Sequence, residues 1–97
     1  MNNKYYILGK DHKLIETNLM AWAKFFESPD RIVKQENIGD VRVSTVFLGI
    51  DHNFSEGEPL LFETMIFDGK HDGYQDRCTT WEQAEKMHQK AVDLVKP

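Results

Sequence analysis

At 97 residues, 40% of them hydrophobic and 29% charged, the chain has material for one small domain, residues 1–97, and not for two. A chain of this size buries roughly 60–65% of its unfolded surface, so its core is one thin layer between a sheet and helices, which argues against a deep enzyme cleft built by a single copy. Twelve basic against sixteen acidic side chains leave a net charge of −4, which argues against direct binding to nucleic-acid phosphate.

Tyr5-Tyr6-Ile7-Leu8, the polar Gly9 to Lys13, and then Leu14-Ile15 read as strand, turn and short strand, an amino-terminal hairpin. Thr17 or Asn18 can cap the helix that follows. In that helix Leu19, Trp22, Ala23 and Phe26 recur at i, i+3, i+4 and i+7, with Met20 and Phe25 widening the stripe. Ser28 and Pro29 end it, because proline lacks a donor and turns its predecessor away from helical geometry. Arg31 to Gln35 reads as an edge strand, and Ile38-Gly39-Asp40 as a turn. Val41 to Ile50 and Leu60 to Phe67 are the clearest strands, joined by a loop that carries Gly57 and Pro59. After the turn Asp68 to Gly73, Tyr74 to Thr79 forms a last strand. Thr80 and Gln83 then fit a capping box, and Ala84, Met87, His88, Ala91, Leu94 and Val95 mark one helical face. The predicted order is β-β-α-β-β-β-β-α, an α+β fold with a mostly antiparallel sheet and helices packed on it.

Alternation along the two central strands leaves both faces largely apolar. Val43, Phe47, Leu61, Met65 and Phe67 would expose several hundred Å2, about the size at which patches mark interaction sites. Either a homodimer packs sheet on sheet, or the helices divide between the faces.

The charge is local. Residues 1–40 hold six basic and six acidic side chains, so the whole excess lies in residues 41–97, and residues 51–76 carry seven acids against Lys70 alone. Such a stretch attracts cations and basic surfaces, or simply solubilises the loops. The lone Cys78 makes no internal disulfide, and Met1 to Lys4 run straight into a strand-like segment, so the expected setting is a reducing cytoplasm. The longest strongly apolar run, Val43 to Ile50, is far shorter than the roughly 20 residues of a membrane span, so no membrane association is expected.

Candidates for chemistry are few. Asp51 and His52, where a strand meets a loop, can ligate a metal if other donors converge, or can cap the hairpin through backbone hydrogen bonds. Their spacing fits no metal motif, and no metal is predicted. Glu63 falls among Leu61, Met65 and Phe67, where a carboxylate needs a partner; Arg77 on the next strand is the obvious one. No nucleophile elbow, thiolate-activating context or phosphate loop occurs, so no catalytic residue and no cofactor is predicted. His88 reads as a hydrogen-bonded core histidine, and Trp22 and Trp81 as core anchors.

Val43-Ser-Thr-Val-Phe-Leu-Gly-Ile-Asp-His-Asn-Phe54 and Glu58-Pro-Leu-Leu-Phe-Glu-Thr-Met-Ile-Phe67 resemble the core signature of a small, uncharacterised family of phage and prophage proteins. Tyr74, Arg77, Thr80-Trp-Glu-Gln-Ala-Glu85 and His88 are similar to that family's closing strand and helix. The resemblance implies a non-structural protein of the bacterial or infected-host cytoplasm and brings no activity with it. The expected function is that of a small accessory protein that binds and modulates a host or phage protein, such as a defence or nucleic-acid-handling component, by occupying its basic surface. The alternative is a pocket for a small molecule or nucleotide metabolite, with or without a metal, formed by the strand-loop-strand segment. Candidate partner- or ligand-binding residues are Asp51, His52, Glu56, Glu58, Glu63, His71, Asp72, Tyr74 and Arg77.

Overall fold

A computed structural model describes residues 4–51 and 57–97 of the chain. The elements are β1 (Tyr5–Leu8), β2 (Leu14–Thr17), α1 (Leu19–Phe26), β3 (Ile32–Ile38), β4 (Val41–Phe47), β5 (Phe62–Phe67), β6 (Gln75–Cys78) and α2 (Trp81–Val95), with short 3-10 turns at Lys10–His12 and Pro29–Arg31. Their order is the one predicted. β3, β4, β5 and β6 form one antiparallel sheet in sequence order, while β1 and β2 pair as a separate hairpin.

Local chemistry sets the boundaries. Asn18 Oδ1 accepts from the Ala21 amide at 2.9 Å and caps α1. Ser28 Oγ accepts from the Asp30 amide at 3.1 Å and starts the next 3-10 turn, with Pro29 in its first position. At α2 the Thr80 hydroxyl accepts from the Gln83 amide at 3.2 Å, while Gln83 Oε1 accepts from the Thr80 amide at 3.1 Å, so the capping box is complete. β3 runs three residues further than predicted, because Ile38 pairs with Val41 across a two-residue turn in which Gly39 takes a φ of +62°. β4 ends earlier than predicted. Gly49, at a φ of +73°, swings the chain out of the sheet, and Ile50 instead bridges to Tyr5 of the hairpin.

The core lies on one side of the sheet. Val43, Thr45 and Phe47 of β4 and Phe62, Thr64 and Ile66 of β5 are buried against Ala84, Met87, His88, Ala91 and Val92 of α2. The pair Thr45 and Thr64 faces His88, so a polar layer separates two apolar clusters, Val43 with Ile66 from Phe47 with Phe62. Phe25 of α1 meets Phe47 edge to face at 5.8 Å. Both helices therefore serve the same face, and the expectation that they divide between the two faces is not met.

Two burial expectations are corrected. Val43, Phe47 and Leu61 are 0–1% exposed, so they belong to the covered face and not to an open patch. Leu61 precedes the first residue of β5, where strand alternation does not yet apply. In α1, Leu19 is 53% and Met20 82% exposed. Helical periodicity shows which side chains share a face, but not that another element reaches the first turn to cover it.

Candidate functional site

Thr45, His88 and Glu36 stand in the order of a nucleophile, base and acid. Thr45 Oγ1 lies 2.7 Å from His88 Nδ1, and His88 Nε2 lies 2.9 Å from Glu36 Oε1. Lys34 Nζ reaches the same carboxylate oxygen at 3.3 Å. When the neutral ring donates from Nε2 to Glu36, Nδ1 accepts from the Thr45 hydroxyl, which in turn accepts from Thr64 at 2.5 Å. The hydrogen bond with His88, followed by that with Lys34, holds the Glu36 carboxyl below the usual carboxylate range. Thr45 and Thr64 have no exposed surface and His88 is 2% exposed. A substrate carbonyl cannot reach the Thr45 hydroxyl, so this chain is a bracket that ties β3, β4 and β5 to α2. The core role expected of His88 holds. Glu36, Thr45 and Thr64 were not foreseen as its partners, although the signal was present in two threonines at inward positions of otherwise apolar strands.

Opposite this core, none of the described elements covers the second sheet face. Across it, register aligns Asn37, Arg42 and Phe67, then Gln35, Ser44, Met65 and Gln75, then Val46, Glu63 and Arg77. Met65 and Val46 are half-buried, and Phe67 is 40% exposed. The polar groups around them are fixed by one another. Gln35 Nε2 donates to Ser44 Oγ at 2.9 Å. Arg77 places Nε and Nη2 each 3.0 Å from Glu63 Oε2, and Gln75 Nε2 donates to the same oxygen. The expected Glu63–Arg77 pair is thus present, on a face with an apolar centre.

The remaining candidates do not converge on it. His71 is half-buried and Asp72 exposed in the turn after β5, where the Asp72 carboxylate accepts from the Asp68 amide at 2.6 Å. Tyr74 packs at the edge of the Val43–Ile66 cluster. Asp51 lies beyond the other end of β4, its amide donating to the Lys4 carbonyl at 3.3 Å, and Glu58 is exposed near that end. His52 and Glu56 lie outside the described residues. The acidic stretch that is continuous in sequence is therefore spread over both ends of the sheet, with Glu63 and Asp76 between them.

Among the described residues no group of three metal-ligating side chains comes together. The free edge of β6 is blunted as well: the Arg77 amide donates to Asp76 Oδ1 at 2.9 Å and the Thr79 amide to Gln83 Oε1 at 3.1 Å, which consumes donors that an added strand would need. Burial, then the Asp76 charge, pushes the Cys78 thiol up to about 11. Among the described residues no helix is long and apolar enough to cross a membrane. No family model, curated protein or solved structure matches the chain.

Proposed function

We propose that the chain is a phage- or prophage-type accessory protein of the cytoplasm that binds a protein partner through the uncovered face of its four-stranded sheet. The observation that supports this is the make-up of that face. Val46, Met65 and Phe67 are ringed by polar side chains already held in place by Gln35–Ser44 and by Glu63 with Arg77 and Gln75. An apolar centre with an ordered polar rim is the anatomy of a protein interface, and pre-set rim side chains lower the entropy lost on docking. Acidic positions at both ends of the strands, Asp40, Asp68 and Asp72 at one and Asp51 and Glu58 at the other, favour a partner whose apolar contact is flanked by basic groups.

Affinity purification with the intact chain and with Met65→Glu tests the reading. A partner retained by the first and weakened at least about tenfold by the second, a loss of about 1.4 kcal/mol, supports it. Raising salt from about 0.05 to 0.5 M should weaken binding without abolishing it, because screening acts on the rim and not on the apolar centre. A partner held equally by both forms overturns the assignment. A dimer in light scattering that Met65→Glu dissociates would make a second copy the occupant and overturn it in that respect.

A further inference from the structure

Between the β1–β2 hairpin, the end of α1 and the start of α2 lies a cleft of about 350 Å3, away from the uncovered sheet face. Leu8, Phe25 and Trp81 supply apolar and aromatic walls, and His12 stacks on Trp81 with ring centroids 3.5 Å apart and planes within 5°. Asp11 and Asp30 line the same cleft, one from the hairpin turn and one from the turn after α1. Both are exposed, and among the described residues neither carboxylate has an ion-pair or hydrogen-bond partner. We propose that this cleft receives an arginine side chain of a protein partner, at a contact separate from the sheet face. The proposal rests on the reading of the chain as a protein-binding factor and adds the chemistry of one contact.

The occupant follows from size and charge. The volume sits at the small end of ligand pockets, enough for one side chain and too little for a folded element. Two unpaired carboxylates beside aromatic surface call for a cation, and guanidinium suits both better than ammonium does. It is planar and weakly hydrated, stacks on rings, and donates two parallel hydrogen bonds to a carboxylate. The same pairing already occurs next door, where the Arg31 guanidinium carbon lies 4.7 Å from the Phe26 ring centroid. The turn that presents the site is well specified. Asp11 and His12 take φ values of +57° and +62°, a region that non-glycine residues seldom enter and that Asp, Asn and His enter most readily.

Two-dimensional amide NMR of the full chain, titrated with N-acetyl-arginine amide, tests the proposal. The Trp81 indole and the Asp11 and His12 amides should shift saturably, with a Kd of about 1 mM, as befits a single contact. The isosteric, uncharged N-acetyl-citrulline amide should leave them unmoved, and N-acetyl-lysine amide should bind at least about fivefold more weakly. Asp11→Asn with Asp30→Asn keeps the turn, since Asn also tolerates positive φ, and should weaken the arginine response at least about tenfold. No response to the arginine probe, or an equal response to citrulline or lysine, overturns the proposal. Free L-arginine binding more tightly than the blocked amide would assign the cleft to an amino-acid ligand and overturn the partner side chain as its occupant. Met65→Glu should leave the titration unchanged, so failure at the cleft and failure at the sheet face are read separately.

Discussion

The buried polar layer is held residue by residue, and its hydrogen bonds are unequal. With the neutral ring donating from Nε2 to Glu36, Thr45 donates to His88 Nδ1 and Thr64 donates to Thr45. Thr64→Val removes the end of that chain and leaves Thr45 still donating, whereas Thr45→Val strands both the Thr64 hydroxyl and His88 Nδ1. Urea unfolding should therefore show a loss of about 1 kcal/mol for Thr64→Val and about 2–3 kcal/mol for Thr45→Val, because unsatisfied buried groups cost more than lost hydrogen bonds contribute. Glu36 adds a pH dependence. Its folded carboxyl titrates below its ordinary value of 4.5, so its contribution is fully present above that value and is lost as pH falls through the folded one. Glu36→Gln keeps an acceptor for His88 but cannot titrate. The stability difference between the wild type and Glu36→Gln should shrink as pH falls below that ordinary value; a difference that persists unchanged into acid would refute the linkage. Cys78 supplies a third check at this scale. With its thiol pushed up to about 11, roughly one molecule in a thousand is thiolate at pH 8, and since a more basic thiolate is also more nucleophilic, alkylation by iodoacetamide should run about tenfold or more slower than for an ordinary exposed cysteine.

At the scale of elements, the amino-terminal hairpin and α1 are joined to the sheet largely through residues 48–51. The Tyr6 amide donates to the Gly49 carbonyl at 2.7 Å, the Asp51 amide to the Lys4 carbonyl, and Trp22 Nε1 to the Leu48 carbonyl at 2.9 Å. Gly49 is indispensable to this seam, since a Cβ there would sit 2.6 Å from Trp22 Nε1 and 2.7 Å from the Tyr6 carbonyl oxygen, on a backbone already at φ +73°. Gly49→Ala should cost more than about 2 kcal/mol through steric conflict and positive φ combined. In hydrogen exchange the loss should be greater for the amides of β1 than for those of β4 and β5, because the hairpin can open without the sheet. The same elements show what could be read in advance. Alternation sorted the residues of β4 and of β5 into two sets each, and Thr80 with Gln83 marked the start of α2, because both signals are local; which set of β4 shares a face with which set of β5 depends on register, and there Val43 and Phe47 were misplaced. That Ile50 leaves the sheet to pair with Tyr5 could not be read, since a non-local bridge leaves no periodicity. The Glu63–Arg77 pair was legible from a charge set among apolar neighbours; the cleft was not, because Asp11, Asp30 and Trp81 converge only once three separate elements have packed.

Over the whole molecule the decisive asymmetry is that one sheet carries two kinds of apolar residue, alternating along the same strand. Ile66 is fully buried beneath α2, while its neighbours Met65 and Phe67 face the uncovered side. Ile66→Ala should leave a cavity and cost about 2–4 kcal/mol, a large fraction of the roughly 5–15 kcal/mol that holds a domain together. Met65→Ala removes a side chain that is only half-buried and leaves no enclosed cavity, so it should cost under about 1 kcal/mol. Thermal melts would then separate the two variants by roughly 4–30 °C, given about 4–8 °C per kcal/mol in a domain of this size. Equal losses would mean that the second face is as tightly packed as the first within a single chain, and the case for a partner on that face would go with it. Unequal losses, together with a rise in melting temperature of the intact protein and not of Met65→Glu when partner is added, would mean that the apolar centre of the face contributes to association and not to folding.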